Sequence, residues 1–159
     1  MEKIMSRFGV GPLTFLPSVA FTVAAWKVTA DWPAVCRLRG FSPAMETAGV
    51  ILVGAGLALW LTGVVTVMRA YQRDELVTTG AFALVRHPVY AGWITLIFPG
   101  LALLARSWPM LLTPLVAWSI FKSLIHREDE YLGRRFGKAY IEYRVRVNEV
   151  IPIPRFWRS

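Results

Sequence analysis

Residues suited to metal or disulfide chemistry are scarce in this 159-residue sequence, which holds one cysteine and two histidines. The single cysteine, Cys36, excludes an intrachain disulfide framework and a cysteine-based zinc site. His87 and His126 are too few for most metal clusters, so we expect no bound metal. Charged residues make up only 18% of the chain, and a water-soluble domain of this size needs a more polar surface than that.

Apolar residues take the place of the missing charges. They make up 55% of the chain, with seven tryptophans, and the mean hydropathy is +0.47. Lipid is the solvent that accommodates such an excess, and the length leaves no room for a separate soluble module. We therefore expect a single domain over residues 1–159, an all-α polytopic membrane protein.

Four segments have the apolar character of a membrane crossing. Residues 45–68 are the clearest, because their only charge, Glu46, lies at one end and about 20 apolar residues span the hydrocarbon core. The apolar region after residue 88 is interrupted at residues 106–109 (RSWP), which predicts a tight hairpin of two crossings. The predicted spans are residues 13–29, 45–68, 89–105 and 108–125.

The distribution of basic residues predicts how these spans are oriented. Lys3 and Arg7 resemble the start of a secretory signal, but no small-residue cleavage site follows, so we interpret residues 13–29 as a retained helix. Of the 18 lysines and arginines, fourteen lie on one side of the membrane and four on the other. The positive-inside rule predicts cytoplasmic termini, and the short chain without organelle signals indicates a bacterial inner membrane. The four are Lys27, Arg37, Arg39 and Arg106.

The net charge of +8 bears on the expected partners. In a soluble protein it would suggest binding to nucleic acid. Here the basic residues adjoin apolar spans, where anionic lipid headgroups attract each of them by about 1 kcal/mol. We therefore expect the bilayer, and no nucleic acid, as the partner.

After the fourth span the sequence becomes polar but keeps a helical repeat. Residues 126–147 carry apolar side chains spaced for one helix face, which predicts a C-terminal amphipathic helix at the membrane interface. We expect Gly133 and Gly137 to weaken or bend it, and Pro152 and Pro154 to end it. The apolar face consists of Tyr131, Leu132, Phe136, Tyr140, Ile141, Tyr143 and Val147.

A polar motif lies where the chain re-enters the membrane, at residues 86–92 (RHPVYAG). Pro88 suits the first turn of a helix, which places Arg86 and His87 at the helix N-terminus. Free N–H groups and the helix dipole favour an anionic group there, such as a carboxylate or phosphate. Tyr90 and Gly92 would line the first turn, the glycine leaving room for a ligand. The alternative is that these side chains only anchor the helix at the interface.

Three acids at residues 128–130 (EDE) follow the fourth span, against the positive charge of that side. They are suited to a cationic ligand such as an amino group or a sulfonium; alternatively, they offset the dipole at a helix N-terminus. An antiparallel hairpin returns residue 126 to the membrane face of residue 88. The two clusters would then face each other across one pocket, as a zwitterionic cofactor requires.

Together the two clusters resemble the motifs of the isoprenylcysteine carboxyl methyltransferase and phospholipid N-methyltransferase superfamily of integral membrane enzymes. R-H-P-x-Y-x-G is intact at residues 86–92, and residues 80–82 (GAF) resemble its glycine-proline-aromatic lead-in. E-E-x-x-L-x-x-x-F-G-x-x-Y-x-x-Y matches over residues 128–143, with Asp129 replacing the second Glu. A closing V-P-x-x-I-P is kept in part at Val147, Ile151 and Pro152.

The resemblance covers about residues 45–154 and has two further departures. Asn148 stands where the closing motif has proline, and Glu149 stands where a basic residue is common. These changes bear on the choice of acceptor and leave the cofactor elements in place.

The resemblance implies S-adenosylmethionine as the cofactor, bound between the two motifs and closed over by the cytoplasmic residues 126–159. It implies that His87, Tyr90 and Gly92 contact the methionine or adenosine portions and that Glu128 lies on the amino or ribose side. Aromatic residues would wall the adenine site; alternatively, each of them packs helices or faces lipid. The implied cofactor-binding residues are His87, Pro88, Tyr90, Gly92, Glu128, Phe136, Tyr140 and Tyr143.

The methyl acceptor stays open between two chemistries. Methyl transfer is an in-line substitution at a sulfonium carbon, so the protein's main task is alignment. A carboxylate acceptor needs a cation such as Arg86, whereas an amine acceptor must lose a proton to a base such as Glu128 or Asp129. In either case we expect a lipophilic small molecule or a membrane lipid; the oligomeric state is not predicted.

Two other functions compete with methyl transfer. Sterol reductases show a distant resemblance in the C-terminal region, but a nicotinamide cofactor needs more phosphate contacts, and no G-x-G-x-x-G follows a strand. The second is a non-enzymatic membrane scaffold or transporter subunit. Against it, the clear intramembrane charges lie at the ends of spans, so no midplane ion path is evident.

Overall fold

The computed structural model describes residues 10–151, and its regular elements are helices, which confirms the all-α prediction for this part of the chain. The predictions that involve Lys3, Arg7, Pro152 and Pro154 lie outside the described residues. The helices are α1 (Gly11–Asp31), α2 (Pro33–Cys36), α3 (Pro43–Arg73), α4 (Ala81–Leu84), α5 (Pro88–Leu104) and α6 (Thr113–Arg146), with a 3₁₀ turn at Pro109–Leu112.

Two helices are long and apolar enough to cross a membrane, α1 with 21 residues and α3 with 31. They contain the first two predicted spans. The residues that α3 buries are Gly49, Gly56 and Gly63, while its aliphatic side chains point outward. A helix on the surface of a soluble protein shows the reverse pattern, so the exposed face of α3 suits lipid. Its exposed large apolar residues are Val50, Ile51, Leu57, Leu61, Val65, Met68 and Tyr71.

The third and fourth predicted crossings correspond to shorter apolar segments. Helix α5 has 17 residues, or about 26 Å at 1.5 Å per residue, against a hydrocarbon core of about 30 Å. Helix α6 begins at Thr113, carries one charged residue, Lys122, before residue 126, and is rich in charged residues after it. Two candidate spans are therefore found among the described residues, and the four-crossing arrangement stays a prediction.

A sharp reversal joins α5 to α6, where the interruption at residues 106–109 predicts a hairpin. Arg106 adopts a left-handed φ of 52°, and the Ser107 N–H donates to the Ala102 carbonyl at 3.0 Å. The hydroxyl oxygens of Ser107 and Thr29 lie 2.6 Å apart, which fastens this turn to the end of α1. The turn returns the charged part of α6 to the N-terminus of α5.

Glycines bring α3 and α5 into close contact. A Cβ added at Gly92 would lie 2.9 Å from the Gly56 carbonyl oxygen, and one at Gly100 would lie 2.9 Å from the Gly49 carbonyl oxygen. Both distances are shorter than van der Waals contact, so the backbones approach each other only because side chains are missing. A Cβ at Gly63 would likewise lie 3.0 Å from Val89 Cγ2, so the start of α5 packs against the middle of α3.

The predicted amphipathic helix is not a separate element, which corrects the boundary placed at residue 126. Helix α6 continues through His126 because a change in side-chain polarity does not interrupt backbone hydrogen bonds. The interruption comes at Gly137, whose φ of 51° and ψ of −129° are not helical. The predicted bend is thus confirmed at Gly137, whereas Gly133 remains helical.

Replacing Gly137 by alanine is expected to destabilise the protein by about 1–3 kcal/mol, because a Cβ is strained in this backbone conformation. Gly133→Ala is the matched control: its Cβ would find Tyr140 Cδ1 at 4.0 Å, and alanine is the better helix former by about 1 kcal/mol. Thermal unfolding of the detergent-purified variants measures the difference. Equal unfolding midpoints would contradict a special backbone requirement at Gly137.

Candidate active site

One end of the helix bundle gathers the start of α1, the end of α3, the start of α5 and the kinked end of α6 around a cavity. Its volume is about 490 Å³, within the roughly 300–1,000 Å³ range of ligand pockets. The α5–α6 hairpin therefore brings the two sequence motifs together. Eight of the ten predicted site residues line the cavity: Arg86, His87, Pro88, Tyr90, Glu128, Phe136, Tyr140 and Tyr143.

The other two predicted site residues lie away from the cavity surface. Asp129 is buried behind it, with 6% of its side chain exposed. Gly92 faces α3, where its missing side chain admits the Gly56 carbonyl, so the structure gives it a packing role in place of making room for a ligand.

Glu128 is the carboxylate that faces the cavity. Its Oε2 accepts hydrogen bonds from the Tyr90 hydroxyl at 2.9 Å and from the Val10 N–H at 3.2 Å. Its Oε1 lies 3.5 Å from Nδ1 of His87. One oxygen is thus held by two donors, while the other has bonding capacity left for a ligand.

Asp129 collects the buried cations and hydroxyls behind the cavity. Arg86 Nη1 donates to its Oδ1 at 3.2 Å, and the Tyr140 hydroxyl donates to the same oxygen. His87 Nε2 lies 3.6 Å from this oxygen, and Arg144 Nε lies 3.6 Å from Oδ2. Buried charges require such pairing, so Asp129 stabilises the arrangement of both Arg86 and His87.

The three titratable groups at the centre have shifted pKa values. Burial by itself lowers the pKa of His87, but Asp129 and Glu128 outweigh it and raise that pKa above the usual value. Burial raises the pKa of each carboxyl, yet the close approach of His87, together with further donors, holds the pKa of Glu128 and of Asp129 below the usual range. Both acids are therefore ionised at neutral pH, and the imidazolium form of His87 is favoured.

Aromatic residues beyond the kink of α6 form a second part of the lining. Tyr140 and Tyr143 are almost fully buried with Phe82 of α4, and Phe136 packs against this cluster. The Tyr143 hydroxyl donates to the Phe82 carbonyl at 2.7 Å, and burial raises the pKa of both tyrosines. These hydroxyls are committed to protein contacts, so the rings rather than the hydroxyls are presented to a ligand.

Residues 147–151, called here the C-terminal segment, cover the start of α5. The Arg86 N–H donates to the Asn148 carbonyl at 2.7 Å, and the His87 N–H donates to the Glu149 carbonyl at 2.9 Å. Val150 is 1% exposed and belongs to the main apolar core. The two N–H groups in front of Pro88 are thus taken by the protein, so an anion would have to be bound by side chains.

The sequence motifs did not reveal the wall that α1 and α3 contribute to the cavity. The apolar wall consists of Phe15, Trp60, Val64, Met68 and Trp93, the last of which belongs to α5. The Phe15 and Trp93 rings pack with centroids 4.4 Å apart. In the sequence these residues are indistinguishable from the other apolar residues of the spans.

The sequence motifs also gave no indication of an ion pair at the cavity surface. Arg135 Nε donates to Asp74 Oδ1 at 2.7 Å, and both residues line the cavity together with Glu75. Asp74 ends α3 in a left-handed conformation with φ 56°. The signal available in the sequence was the charged cluster directly after a long apolar span.

The comparisons with known proteins point in one direction. The model of the isoprenylcysteine carboxyl methyltransferase family matches residues 44–134, which is more than half of the chain. The matched region contains all but the first residue of α3, the helices α4 and α5, and the first part of α6, and it ends before Tyr140 and Tyr143. No solved structure is similar to this chain at a significant level.

Several curated proteins are similar in sequence. Protein-S-isoprenylcysteine O-methyltransferase B of Arabidopsis thaliana is 29% identical over 65% of this chain and 57% of its own length. Protein-S-isoprenylcysteine O-methyltransferase of Dictyostelium discoideum is 30% identical over 87% of this chain and 53% of its own length. That of Schizosaccharomyces pombe is 40% identical over 49% of this chain and 33% of its own. The chain thus spans about half or less of the length of these relatives.

Proposed function

Because the chain belongs to the isoprenylcysteine carboxyl methyltransferase family, we propose that it is a membrane-embedded methyltransferase that uses S-adenosylmethionine and acts on a lipophilic acceptor. The observation that carries the proposal is one cavity in which ionised Glu128 and the His87 imidazole lie beside the apolar wall. A charged cofactor and a lipophilic acceptor require these two environments in contact.

The residues of the cavity fit the cofactor. Glu128 Oε1 is suited to the cofactor's amino group or ribose hydroxyls, because its partner within the described residues is His87 at 3.5 Å. His87 lines the cavity between Glu128 and Asp129; its buried Nε2 lies 3.6 Å from Asp129 Oδ1, just beyond hydrogen-bond distance, and makes no hydrogen bond to the described residues. Phe136, Tyr140 and Tyr143 supply aromatic faces for the adenine, while Pro88 and Tyr90 shape the floor.

The chemistry asks the protein mainly for alignment. The cofactor supplies an activated methyl group on a sulfonium, which already has a good leaving group. Glu128 and His87, each fixed by partners on a different helix, would hold one reactant in place. The apolar wall would hold the other and exclude water, which strengthens the charge interactions of Glu128.

For the acceptor, we propose first a lipophilic carboxylate, as in the isoprenylcysteine named for the relatives. Arg86 lines the cavity, but Asp129 and Glu149 hold its two Nη atoms, so only its Nε, which has no hydrogen-bond partner among the described residues, would be left for the acceptor. The second candidate is a lipid amine, for which Glu128 would be the base, since Asp129 lies behind the cavity. A lipid-borne acceptor would enter from the bilayer along the apolar wall.

We also propose the four-crossing arrangement in a bacterial inner membrane with both termini in the cytoplasm. It is supported by the fourteen-to-four distribution of basic residues and by the two candidate spans. The cavity would then open on the cytoplasmic side, where the soluble cofactor is available.

The detergent-purified chain is expected to bind S-adenosylmethionine and to transfer labelled methyl groups to an S-isoprenyl cysteine analogue with a free carboxylate. A methyl ester is released by mild base, whereas methyl groups on an amine are not, so a parallel assay with total membrane lipids separates the two acceptors. Binding is followed by calorimetry, with the demethylated product as competitor.

Absence of cofactor binding in this assay would refute the proposal. Tight binding of a reduced nicotinamide would instead favour the reductase alternative, and binding of neither would favour the scaffold. As an internal control, heat-unfolded protein should give no binding heat with either compound.

A further inference from the structure

The C-terminal segment meets the start of α5 through one charged side chain as well as through its backbone. Glu149 Oε1 lies 3.2 Å from Arg86 Nη2, and its Oε2 lies 2.7 Å from Lys122 Nζ on α6. Its side chain is 20% exposed, against 45% for Lys122 and 2% for Arg86. Of the two ion pairs that Glu149 forms, the one with Arg86 is therefore buried and the one with Lys122 is exposed.

Arg86 is held between two carboxylates on different parts of the chain. Nη2 faces Glu149 of the C-terminal segment, and Nη1 faces Asp129 of α6 and the Tyr140 hydroxyl, the latter at 3.4 Å. A planar guanidinium bound on both edges has a fixed orientation. Without Glu149, the side-chain partners left to the Arg86 guanidinium among the described residues would be Asp129 and the Tyr140 hydroxyl.

A continuous row of charged contacts leads from this point to the cavity. Arg86 contacts Asp129, Asp129 lies 3.6 Å from His87, and His87 lies 3.5 Å from Glu128 at the cavity surface. Arg86 and His87 share the Asp129 carboxylate, so a stronger ion pair between Arg86 and Asp129 weakens the attraction between Asp129 and His87. The row therefore couples the docking of the C-terminal segment to the ligand-facing groups.

We propose that Glu149 is a positioning residue of the transfer site: it fastens the C-terminal segment to Arg86 and thereby sets the orientation and charge of the Asp129–His87–Glu128 row. This inference rests on the proposed function, because the row matters only if the cavity binds the cofactor. Glu149 itself does not line the cavity, so its effect passes through Arg86.

The charged and titratable groups that face His87 are identified from each neighbouring element. Helix α6 presents Glu128 and Asp129, with Tyr140 and Arg144 bound to Asp129; α5 presents Tyr90, and the C-terminal segment presents Glu149 through its carbonyl. Removing the Glu149 charge takes a negative charge from this cluster. The imidazolium form of His87 then becomes less favourable for two reasons. A nearby negative charge is lost, and Asp129 pairs more strongly with Arg86 and so less strongly with His87.

The test compares three variants of the full chain in detergent: Glu149→Gln, Glu149→Asp and Lys122→Gln. Calorimetry gives the dissociation constant for S-adenosylmethionine, and NMR follows the titration of the two histidines, with His126→Gln identifying the His87 signal. We expect Glu149→Gln to weaken binding about tenfold and to lower the titration midpoint of His87. Lys122→Gln, which removes only the exposed partner, is expected to bind within about twofold of wild type.

The proposal is overturned if Glu149→Gln and Lys122→Gln bind equally and leave the His87 titration unchanged. If Glu149→Gln does not fold, Glu149→Asp decides, because its carboxylate is one methylene too short to keep the 3.2 Å contact with Arg86. Severalfold weaker binding of S-adenosylmethionine by this variant supports the proposal, and wild-type affinity overturns it. Failure of the wild-type chain to bind the cofactor would count against the proposed function. Wild-type binding that is insensitive to Glu149 would count against this inference alone.

Discussion

Glu128→Gln is expected to weaken S-adenosylmethionine binding and methyl transfer by about 100-fold or more. The variant keeps the size of the side chain but removes the negative charge facing the cavity. A charge-assisted hydrogen bond in a partly buried site contributes about 1.5–3 kcal/mol, and loss of the partner charge leaves His87 with one carboxylate in place of two. About 2.7 kcal/mol corresponds to the hundredfold loss.

The neighbouring acid is the control for this variant. Glu130 belongs to the same run of three acids, but its side chain is 66% exposed and pairs with Arg134 one turn along α6 at 3.6 Å. Glu130→Gln is expected to bind and react like wild type, because exposed pairs contribute little. Calorimetry and transfer of labelled methyl groups are measured for both variants. Similar losses of binding and transfer in the two would show that the total negative charge of residues 128–130 matters, and not the position of Glu128.

Asp129→Asn is expected to destabilise the fold by about 3–5 kcal/mol, because it leaves Arg86 buried with only Glu149 as a carboxylate partner among the described residues. The midpoint of thermal unfolding should fall by roughly 10 °C for a chain of this size. Asp31→Asn is the matched control, since Asp31 forms an exposed pair with Lys27 at 3.0 Å. A shift as small as that of the control would contradict the central place of Asp129.

The same aspartate predicts how wild-type stability depends on pH. The pKa of Asp129 is lowered in the folded state, so its contribution is present above the unfolded value of about 3.9 and is lost as the pH falls through the folded value. The pKa of His87 is raised, so its contribution is full below the unfolded value of about 6.5 and is lost as the pH rises through the folded value. Stability from these two groups is therefore greatest between about pH 4 and 6.5.

Unfolding midpoints measured across this range test the pH dependence. Asp129→Asn removes the acid-side loss due to Asp129 and, because Asp129 also raises the pKa of His87, it moves the alkaline loss to lower pH. An unchanged pH profile in the variant would contradict the coupling between Asp129 and His87.

Much of the site was predictable because its chemistry is concentrated in short motifs. Arg86, His87 and Tyr90 lie within five residues, and the hairpin indicated at residues 106–109 implied that Glu128 returns to them. The structure places all four at one cavity. Apolar length likewise predicted α1 and α3, since a span depends on composition over about 20 residues and not on distant contacts.

The apolar wall and the ion-paired state of Arg86 were not predictable in this way. Trp60 and Met68 are ordinary span residues until the packing of α1 against its neighbours leaves a cavity beside them. Arg86 looked available for an anionic ligand, yet Asp129 and Glu149 both reach it. Such pairings depend on how separate segments dock, which no local pattern encodes.

The sequence by itself determined the helical class, two long apolar helices, the hairpin and the motif residues that meet at the cavity, because composition and short-range spacing control these features. The tertiary structure decided how the charges are shared. Tyr140 and Asp129 are 11 residues apart in α6, or about 16 Å along a straight helix, and they meet only because Gly137 turns the chain back. A glycine in the sequence indicates where a helix can bend, whereas the direction of the bend follows from burying Tyr140 and Tyr143 against α4.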